Sequence, residues 1–207
     1  GVFDVGSNRL TLGADCVIQE ANPFGTSNMI QTNISFTDNG VKKYFSGTGN
    51  FTFPVGSGGK YTPVKCFFTQ NSGSAPYIII RPADERHVSI VDDDEGTDPA
   101  INDPDNVLQY HWGVLVDGFT DLSGTMEFYY DENDVAVTSP YDVYDYITAK
   151  LLVGNDGYWI KYDDVEKVDE ATNKLIFNFT DASDEDIDGD YTAGVDGSSF
   201  YGAIPDQ

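Results

Sequence analysis

Basic residues are scarce in this chain, and most of them lie in its first half. Eleven lysines and arginines stand against 35 aspartates and glutamates over 207 residues, a formal net charge of −24. Residues 91–207 carry 29 of the acids and only four of the bases. Such a surface repels nucleic acid and anionic membranes, which argues against both as partners. It also repels itself, so we expect divalent cations or high salt to offset the charge, in an extracellular setting.

Cysteine is almost absent. Cys16 and Cys66 lie at the ends of two strand-like runs. Two cysteines in an extracellular chain allow a disulfide, but a reduced protein can carry the same pair. The sequence does not give the Cα separation on which a bridge depends, so it leaves open whether they pair.

Long apolar runs are also missing. No run approaches the ~20 residues that a helix needs to span a bilayer, so we expect no membrane insertion. The chain begins at Gly1 without an initiator methionine or an apolar leader and ends at Gln207. We therefore expect it to be part of a longer polypeptide.

Motifs that mark common enzymes do not occur. The chain has no Gly-x-Ser-x-Gly elbow, and the glycine-rich segment at residues 56–60 fails the phosphate-loop spacing. His87 and His111 are the only histidines, and they form no zinc-binding His-x-x-x-His pair. Acids are too abundant for a carboxylate pair suited to glycoside hydrolysis to be informative. We expect no enzymatic activity.

What the chain does contain is typical of an all-β protein. Aromatic residues make up 14% of it, and 21 glycines and nine prolines punctuate short runs of alternating polar and apolar residues. Such runs lie at residues 61–68, 77–81, 107–116, 123–130, 145–153, 158–162 and 174–180. Those from residue 77 onward predict an immunoglobulin-like antiparallel β-sandwich over residues 69–207. Residues 139–147 are the best candidate for a short helix, since Ser139-Pro140 is a suitable start.

The first third of the chain has a different pattern. Residues 1–68 predict short β-arches and hairpins, with an Asp-Asn-Gly turn at residues 38–40. The pattern leaves open whether this region packs onto the sandwich or stands apart from it.

Several segments together resemble a known kind of module. They are NRLTLG at 8–13, MIQT at 29–32, GVKKYF at 40–45, GNFTFPVG at 49–56, YTPV at 61–64, YHW at 110–112, FYYDE at 128–132 and GDYTAG at 189–194. The series resembles a module of large Bacteroidetes surface proteins exported by the type IX secretion system. The resemblance covers most of the chain, and its most specific part is the pair of segments at 49–56 and 61–64. The acidic loop at residues 92–106 departs from the pattern.

The resemblance implies location and class. Proteins of this kind are long, repetitive and displayed outside the outer membrane, where they act as adhesins, motility proteins or scaffolds for enzymes. It implies that neighbouring modules of the same polypeptide are partners, and it implies no catalytic motif.

Clustered acids are the candidate metal ligands. Calcium takes 6–8 oxygen ligands in a flexible geometry, which acidic loops supply. The first cluster is Asp92, Asp93, Asp94, Glu95, Asp98, Asp103 and Asp105. The second is Asp184, Asp186, Asp188 and Asp190, with Asp181 and Glu185; it resembles an EF-hand start but has Tyr191 and Gly197 at its sixth and twelfth positions. A third is Asp131, Glu132 and Asp134. The alternative is a solvated acidic surface.

Exposed aromatic residues are the candidate ligand-binding groups. Tyrosine and aspartate alternate over residues 141–146 with little apolar content, which indicates a recognition stretch. The predicted ligand-binding residues are Tyr141, Tyr144, Tyr146 and Trp159, since flat rings stack on sugars. The alternative is that the tryptophans and tyrosines pack in and around the core.

These observations favour a structural or adhesive β module of a larger exported bacterial surface protein, stabilised by calcium. The alternative is a carbohydrate-binding module of a protein that acts on extracellular polysaccharide. A hydrolase is a third class, without support from any motif.

Overall fold

The chain folds almost entirely into β-strands. The computed structural model describes residues 1–19, 22–32, 40–90, 104–151, 159–162, 168–195 and 204–205. Within these ranges the strands are β1 (Phe3–Asp4), β2 (Leu10–Leu12), β3 (Ile30–Gln31), β4 (Val41–Tyr44), β5 (Gly49–Phe53), β6 (Val55–Ser57), β7 (Lys60–Tyr61), β8 (Val64–Ala83), β9 (His111–Tyr129), β10 (Tyr146–Leu151), β11 (Trp159–Tyr162), β12 (Val168–Asp169), β13 (Lys174–Ala182), β14 (Gly189–Val195) and β15 (Ile204–Pro205). The predicted all-β class is confirmed.

Helical structure in the described ranges is short. It comprises one turn of α-helix, α1 (Asp184–Ile187), and the 3-10 helices η1 (Pro104–Asn106), η2 (Glu132–Asp134) and η3 (Val143–Asp145). Helix η3 lies inside the segment for which a short helix is predicted. Among the described residues, no helix has the length and apolar character needed to cross a bilayer.

A hairpin of two long strands is the centre of the fold. Strands β8 and β9 pair antiparallel from Val64 opposite Phe128 to Ala83 opposite His111. The register shifts between Phe68 and Tyr77, in the middle of β8. Because β-bulges bend the strand that carries them, each strand has two halves with different neighbours.

The halves of this hairpin belong to two layers. The start of β8 and the end of β9 pair with β5 on one side and with β13 and β12 on the other. The remaining halves pair with β4 and β2 on one side and with β14, β10, β11 and β15 on the other. A separate small sheet contains β1, β3, β6 and β7.

Gly118 lies at the bend in β9. Its φ is +91°, and a Cβ at this position would lie 2.7 Å from the carbonyl oxygen of Ser74 on β8. A side chain here would both strain the backbone and separate the two strands, so the bend depends on glycine.

Aromatic rings fill the space between the layers. The ring of Phe128 stacks on Tyr191 with centroids 4.9 Å apart and lies 5.5 Å from Trp112. Phe177 meets Tyr191 edge to face at 4.7 Å. Trp112 and Phe128 come from opposite halves of β9, so the bent hairpin contributes to both walls of the core. Each fully buried side chain of this size stabilises the fold by about 1.5–3 kcal/mol.

The N-terminal region shares this core. Strand β8 runs through the boundary predicted between residues 68 and 69. One buried cluster contains Val41 and Phe53 from the first region together with Phe177 and Tyr191 from the second. In the structure, residues from the first region pack onto the sandwich. The predicted turn at 38–40 lies mostly outside the described residues.

Both cysteines carry free thiols. Cys66 is fully buried in β8, and burial raises the pKa of its thiol. Cys16 is half-buried beside the same core. In this fold, packing rather than a disulfide connects their two segments.

Candidate functional site

The segment between β9 and β10 forms a closely hydrogen-bonded turn. Asp142 accepts the main-chain N–H of Tyr144 at 2.8 Å, and Asp145 accepts the N–H of Asp142 at 2.9 Å. This reciprocal pair is a capping box at the start of η3. The two acids therefore hold the turn, with their carboxylates beside the tyrosines.

Two further contacts attach this turn to the core. The side chain of Asn106, which is buried, accepts the main-chain N–H of Thr138 at 2.6 Å. The hydroxyl of Tyr146 donates to the carbonyl oxygen of Ala136. The turn is fixed at both ends, so its exposed side chains have a defined position.

The four predicted ligand-binding residues fall into two groups. The side chains of Tyr144 and Tyr141 are 70% and 40% exposed. Tyr146 and Trp159 are 2% and 1% exposed, so neither ring can stack on a sugar from solvent. The predicted platform must therefore be corrected to Tyr141 and Tyr144.

The buried pair has structural roles. Tyr146 opens β10, where it pairs with Val195. Trp159 packs in a second apolar cluster with Ile90, Val107 and Ile147, and its ring lies 5.2 Å from His87. For these two residues the core-packing alternative describes the structure.

The acids of the second predicted calcium cluster mostly bind main-chain N–H groups. Asp184 accepts the N–H groups of Gly118 and Phe119 at 2.9 and 2.8 Å, at the bend of β9. Asp188 accepts the N–H of Val116 at 3.1 Å. Burial raises the pKa of Asp188, although this hydrogen bond opposes the increase. These carboxylates thus attach the α1 turn to the hairpin.

The other two acids of this cluster point to different partners. Asp186 accepts the N–H and the hydroxyl of Ser183, each at 2.8 Å, and the N–H bond lowers its pKa. Asp190 lies 3.1 Å from Nε2 of His87. Within the described ranges, no three histidine, cysteine or acidic side chains are grouped as metal ligands.

Most of the first predicted calcium cluster lies outside the described residues. This applies to Asp92, Asp93, Asp94, Glu95, Asp98 and Asp103. Asp105 is described and lies in η1. Calcium binding by this loop stays a prediction.

The third acidic cluster leads to a site that sequence reasoning missed. Asp131 caps η2 by accepting the N–H of Asn133 at 2.9 Å. Asp134, at the other end of this helix, is only 3% exposed and contacts the ammonium group of Lys60. The same ammonium contacts Asp84, directly after β8. Three segments that are distant in sequence meet at this lysine.

The local electrostatics follow from burial and pairing. Burial raises the pKa of Asp134, against the effect of Lys60. Burial lowers the pKa of Lys60, but its two carboxylate partners outweigh this, and the net shift is upward. Near Lys60, Asp84 and Asp134, the hydroxyl of Tyr110 lies 2.7 Å from Oγ1 of Thr62.

Gly58 makes room for this arrangement. A Cβ at Gly58 would lie 1.8 Å from Oδ2 of Asp84, and its φ is +61°. Asp84 can therefore approach the β6–β7 turn only because this position is glycine.

A cavity of about 610 Å³ opens above Lys60, Asp84 and Asp134. Glu85, Arg86 and Val88 lie along the segment that follows β8, and Gln109 contributes to the wall. We name this the Lys60 cavity.

The two histidines meet beside this cavity. Their rings lie 4.8 Å apart, edge to face. Burial and the neighbouring His87 lower the pKa of His111 to about 4, and its Nδ1 bonds the carbonyl oxygen of Glu85 at 2.8 Å. His111 is therefore neutral at physiological pH.

The hydrogen bonds of His87 follow the order of a nucleophilic triad. Its Nδ1 lies 2.6 Å from Oγ of Ser89 and its Nε2 lies 3.1 Å from Asp190. The same Nδ1 also accepts the main-chain N–H of Ser89 at 3.2 Å. The Ile90 N–H bonds the carbonyl oxygen of His87 at 3.0 Å. These contacts close a turn at residues 87–90. We therefore assign them a structural role and not a catalytic one.

Comparison with known protein families, with curated proteins and with solved structures finds no match to this chain. The functional conclusions below therefore rest on the residues and their geometry.

Proposed function

We propose that this chain is a structural and adhesive β module of a larger exported bacterial surface protein, and that the turn at residues 141–145 is its recognition element. The observation that carries the proposal is the exposure of Tyr144 and Tyr141 on a turn fixed by the Asp142–Asp145 capping box. Exposed aromatic rings on a rigid support bind with little loss of conformational entropy.

The scaffold suits this role. The layers share an aromatic core, and the long hairpin β8–β9 connects them along its whole length. A module that transmits force or spaces a binding site benefits from such extensive main-chain pairing. Asp184 of α1 reinforces it at the bend.

Calcium is part of the proposal. The excess of acids in the second half must be tolerated by the folded state, and bridging cations reduce the self-repulsion. The acidic loop that begins at Asp92 is the proposed location, with Asp105 at its end. The setting that provides millimolar calcium is extracellular, at the outer surface of the cell.

A second candidate function is carbohydrate binding, and the same turn favours it. Two tyrosine rings stand beside the carboxylates of Asp142 and Asp145, a combination that offers stacking and hydroxyl acceptance together. The negative charge of the chain disfavours anionic polysaccharides, so neutral glycans are the expected ligands.

The test is binding of the purified chain to immobilised neutral polysaccharides, measured by biolayer interferometry with Tyr144→Ala and Tyr141→Ala. Phe3→Ala is the matched control, because Phe3 is an aromatic residue that is 57% exposed elsewhere. We expect the tyrosine variants to bind about tenfold more weakly and the control to bind as wild type does. Equal losses in all three variants, or no binding to any surface, contradict the proposal.

A further inference from the structure

We propose that the side chains of Lys60 and Asp134 condense to form an intramolecular isopeptide bond, and that Asp84 carries the protons of this reaction. The bond would link β7 covalently to the end of η2, across 74 positions of sequence. The inference is independent of the function proposed for the Tyr141–Tyr144 turn. It follows from the contacts of three side chains, from the burial of one of them, and from the contrast with a second lysine of the same chain.

The reacting groups are held together by the fold. Nζ of Lys60 contacts Oδ1 of Asp134 and Oδ1 of Asp84. The main chain of Asp134 is fixed on both sides, because its N–H donates to the carbonyl oxygen of Asp131 at 2.9 Å and its carbonyl oxygen accepts the N–H of Gln109 at 2.7 Å. Groups that are held and well oriented react as if one of them were present at about 10⁵–10⁸ M.

Burial makes Asp134 the carboxyl group that is attacked. Its side chain is 4% exposed, whereas that of Asp84 is 30% exposed. Its Oδ2 is buried without a hydrogen-bond partner, and burial raises its pKa against the effect of Lys60. Such surroundings disfavour the anion and favour the neutral acid. A neutral carboxyl group accepts a nucleophile more readily than a carboxylate does, and the condensation removes the buried charge altogether.

The condensation needs no co-reactant. The ammonium of Lys60 gives one proton to the carboxylate of Asp134, which produces a neutral amine beside a neutral carboxyl group. Nζ then attacks Cγ of Asp134, and the new C–N bond forms. Asp84 takes the proton that the attacking nitrogen loses and delivers it to the departing hydroxyl group. The bond between Cγ and this oxygen breaks, one water leaves, and Asp84 is again a carboxylate.

The ion pair is the resting form before the reaction. Burial lowers the pKa of Lys60, but its two carboxylate partners outweigh this effect. The neutral amine is therefore a minor form, and we expect the condensation to be slower than folding. The side chain of Lys60 is 27% exposed beside the Lys60 cavity, which gives the released water a way out.

A second lysine with two carboxylate partners shows why the reaction is specific. Nζ of Lys174 lies 2.8 Å from Glu127 and 3.8 Å from Asp169. Both carboxylate oxygens of Glu127 have donors, one from Lys174 and one from the hydroxyl of Tyr129 at 2.7 Å. Burial raises the pKa of Glu127, but these donors outweigh it and the net shift is downward. Glu127 stays an anion, so we expect a salt bridge at Lys174 and a covalent bond at Lys60.

The experiment is the intact mass of the purified full chain after denaturation, followed by peptide mapping. We expect the chain to be lighter than its sequence by the mass of one water, and a branched peptide to join Lys60 to Asp134. A succinimide at an Asp-Gly pair such as Asp117-Gly118 also loses one water, so the branched peptide decides. A chain without a branched peptide overturns the proposal, and so does a branch from Lys60 to Asp84.

Lys60→Arg keeps the positive charge and removes the nucleophile, and Lys174→Arg is its matched control. We expect the full sequence mass in Lys60→Arg and the loss of one water in Lys174→Arg. Asp134→Ala should also have its full mass, with the folding of each variant checked by tryptophan fluorescence. A loss of water that persists in folded Lys60→Arg overturns the proposal.

Asp84→Asn tests the proton carrier, because an amide does not accept the proton that Nζ loses. The chain is isolated in urea from inclusion bodies, and refolding starts the reaction, which is followed by intact mass. We expect Asp84→Asn to condense at least about tenfold more slowly than wild type. A rate equal to that of wild type overturns the role assigned to Asp84.

Discussion

Replacing Asp184 by alanine should destabilise the bend of the central hairpin. The carboxylate of Asp184 accepts one N–H from Gly118 and one from Phe119, at 2.9 and 2.8 Å. Both donors lie where β9 changes its neighbours, so they have no regular ladder to return to. Alanine leaves them to water or to weaker contacts.

The expected loss can be estimated from these two bonds. Hydrogen bonds to a charged group contribute about 1.5–3 kcal/mol each, and partial exposure of the site reduces that value. We expect Asp184→Ala to lower the free energy of unfolding by about 2–4 kcal/mol. Asp184→Asn keeps one acceptor oxygen, so it should lose about half as much.

Glu185→Ala is the matched control. Glu185 is the next residue of α1, is exposed, and carries the same charge. Removing one negative charge from this chain relieves some self-repulsion in either variant, so the difference between them isolates the two hydrogen bonds. Surface substitutions without such contacts change stability by less than about 0.5 kcal/mol.

Urea unfolding followed by tryptophan fluorescence is the assay, because Trp112 and Trp159 are both buried. A loss of about 3 kcal/mol also corresponds to a fall in melting temperature of about 6–12 °C for a chain of this length. If Asp184→Ala and Glu185→Ala have the same midpoint and slope, Asp184 does not stabilise the bend and the reasoning is refuted.

Three further predictions concern charge. Asp188→Asn should become more stable relative to wild type as pH rises from about 4 to about 7, because burial raises the pKa of Asp188 above 3.8 and its charged form is disfavoured in the fold. Parallel urea curves for the two proteins across this range would contradict it. His111→Gln should reduce the acid destabilisation of the chain between pH 6.5 and about 4, because the low pKa of His111 obliges the folded state to exclude its proton; an unchanged pH profile would show that His111 does not contribute. Calcium at about 10 mM should raise the unfolding free energy by about 2.7 kcal/mol over chelator if its Kd is about 0.1 mM, and an equal response to magnesium would assign the effect to general screening.

The strand content was predictable because alternation of polar and apolar residues is a local signal. The run at 77–81 lies in strand, as do most of those at 61–68, 107–116 and 123–130. That each pair belongs to one long strand was not predictable. Residues 69–76 are polar and contain glycine, serine and proline, a composition typical of loops. Residues 70–73 nevertheless pair with β9, and the pairing resumes at Tyr77.

The candidate site was predictable in part. The exposure of Tyr141 and Tyr144 agrees with the low apolar content of their segment. Tyr146 belongs to the same run of alternating tyrosine and aspartate, but it begins β10. Its burial is therefore decided by its neighbours across the sheet and not by its own segment. Trp159 has the largest aromatic ring of the four. A large ring suits stacking on a sugar, but it also suits burial in a core.

The Lys60 cavity could not be found from local patterns. Lys60 and Asp134 are 74 positions apart, and a single lysine or aspartate carries no motif. Only the topology, which places the β6–β7 turn beside η2, brings them together. The α1 turn did have a usable signal, because Ser183 followed three residues later by Asp186 matches the capping-box pattern.

The position of the acids changes the interpretation of the net charge. Asp131, Asp142, Asp184 and Asp188 each accept at least one main-chain N–H. A main-chain N–H is a fixed partial positive charge, so these carboxylates are offset inside the fold without a bound cation. Any calcium-specific stabilisation must therefore arise mainly from other acids, and the sequence from 92 to 105 holds the densest group of them. One means of tolerating the charge is thus built into the turns, and the proposed calcium would be a second, separate one.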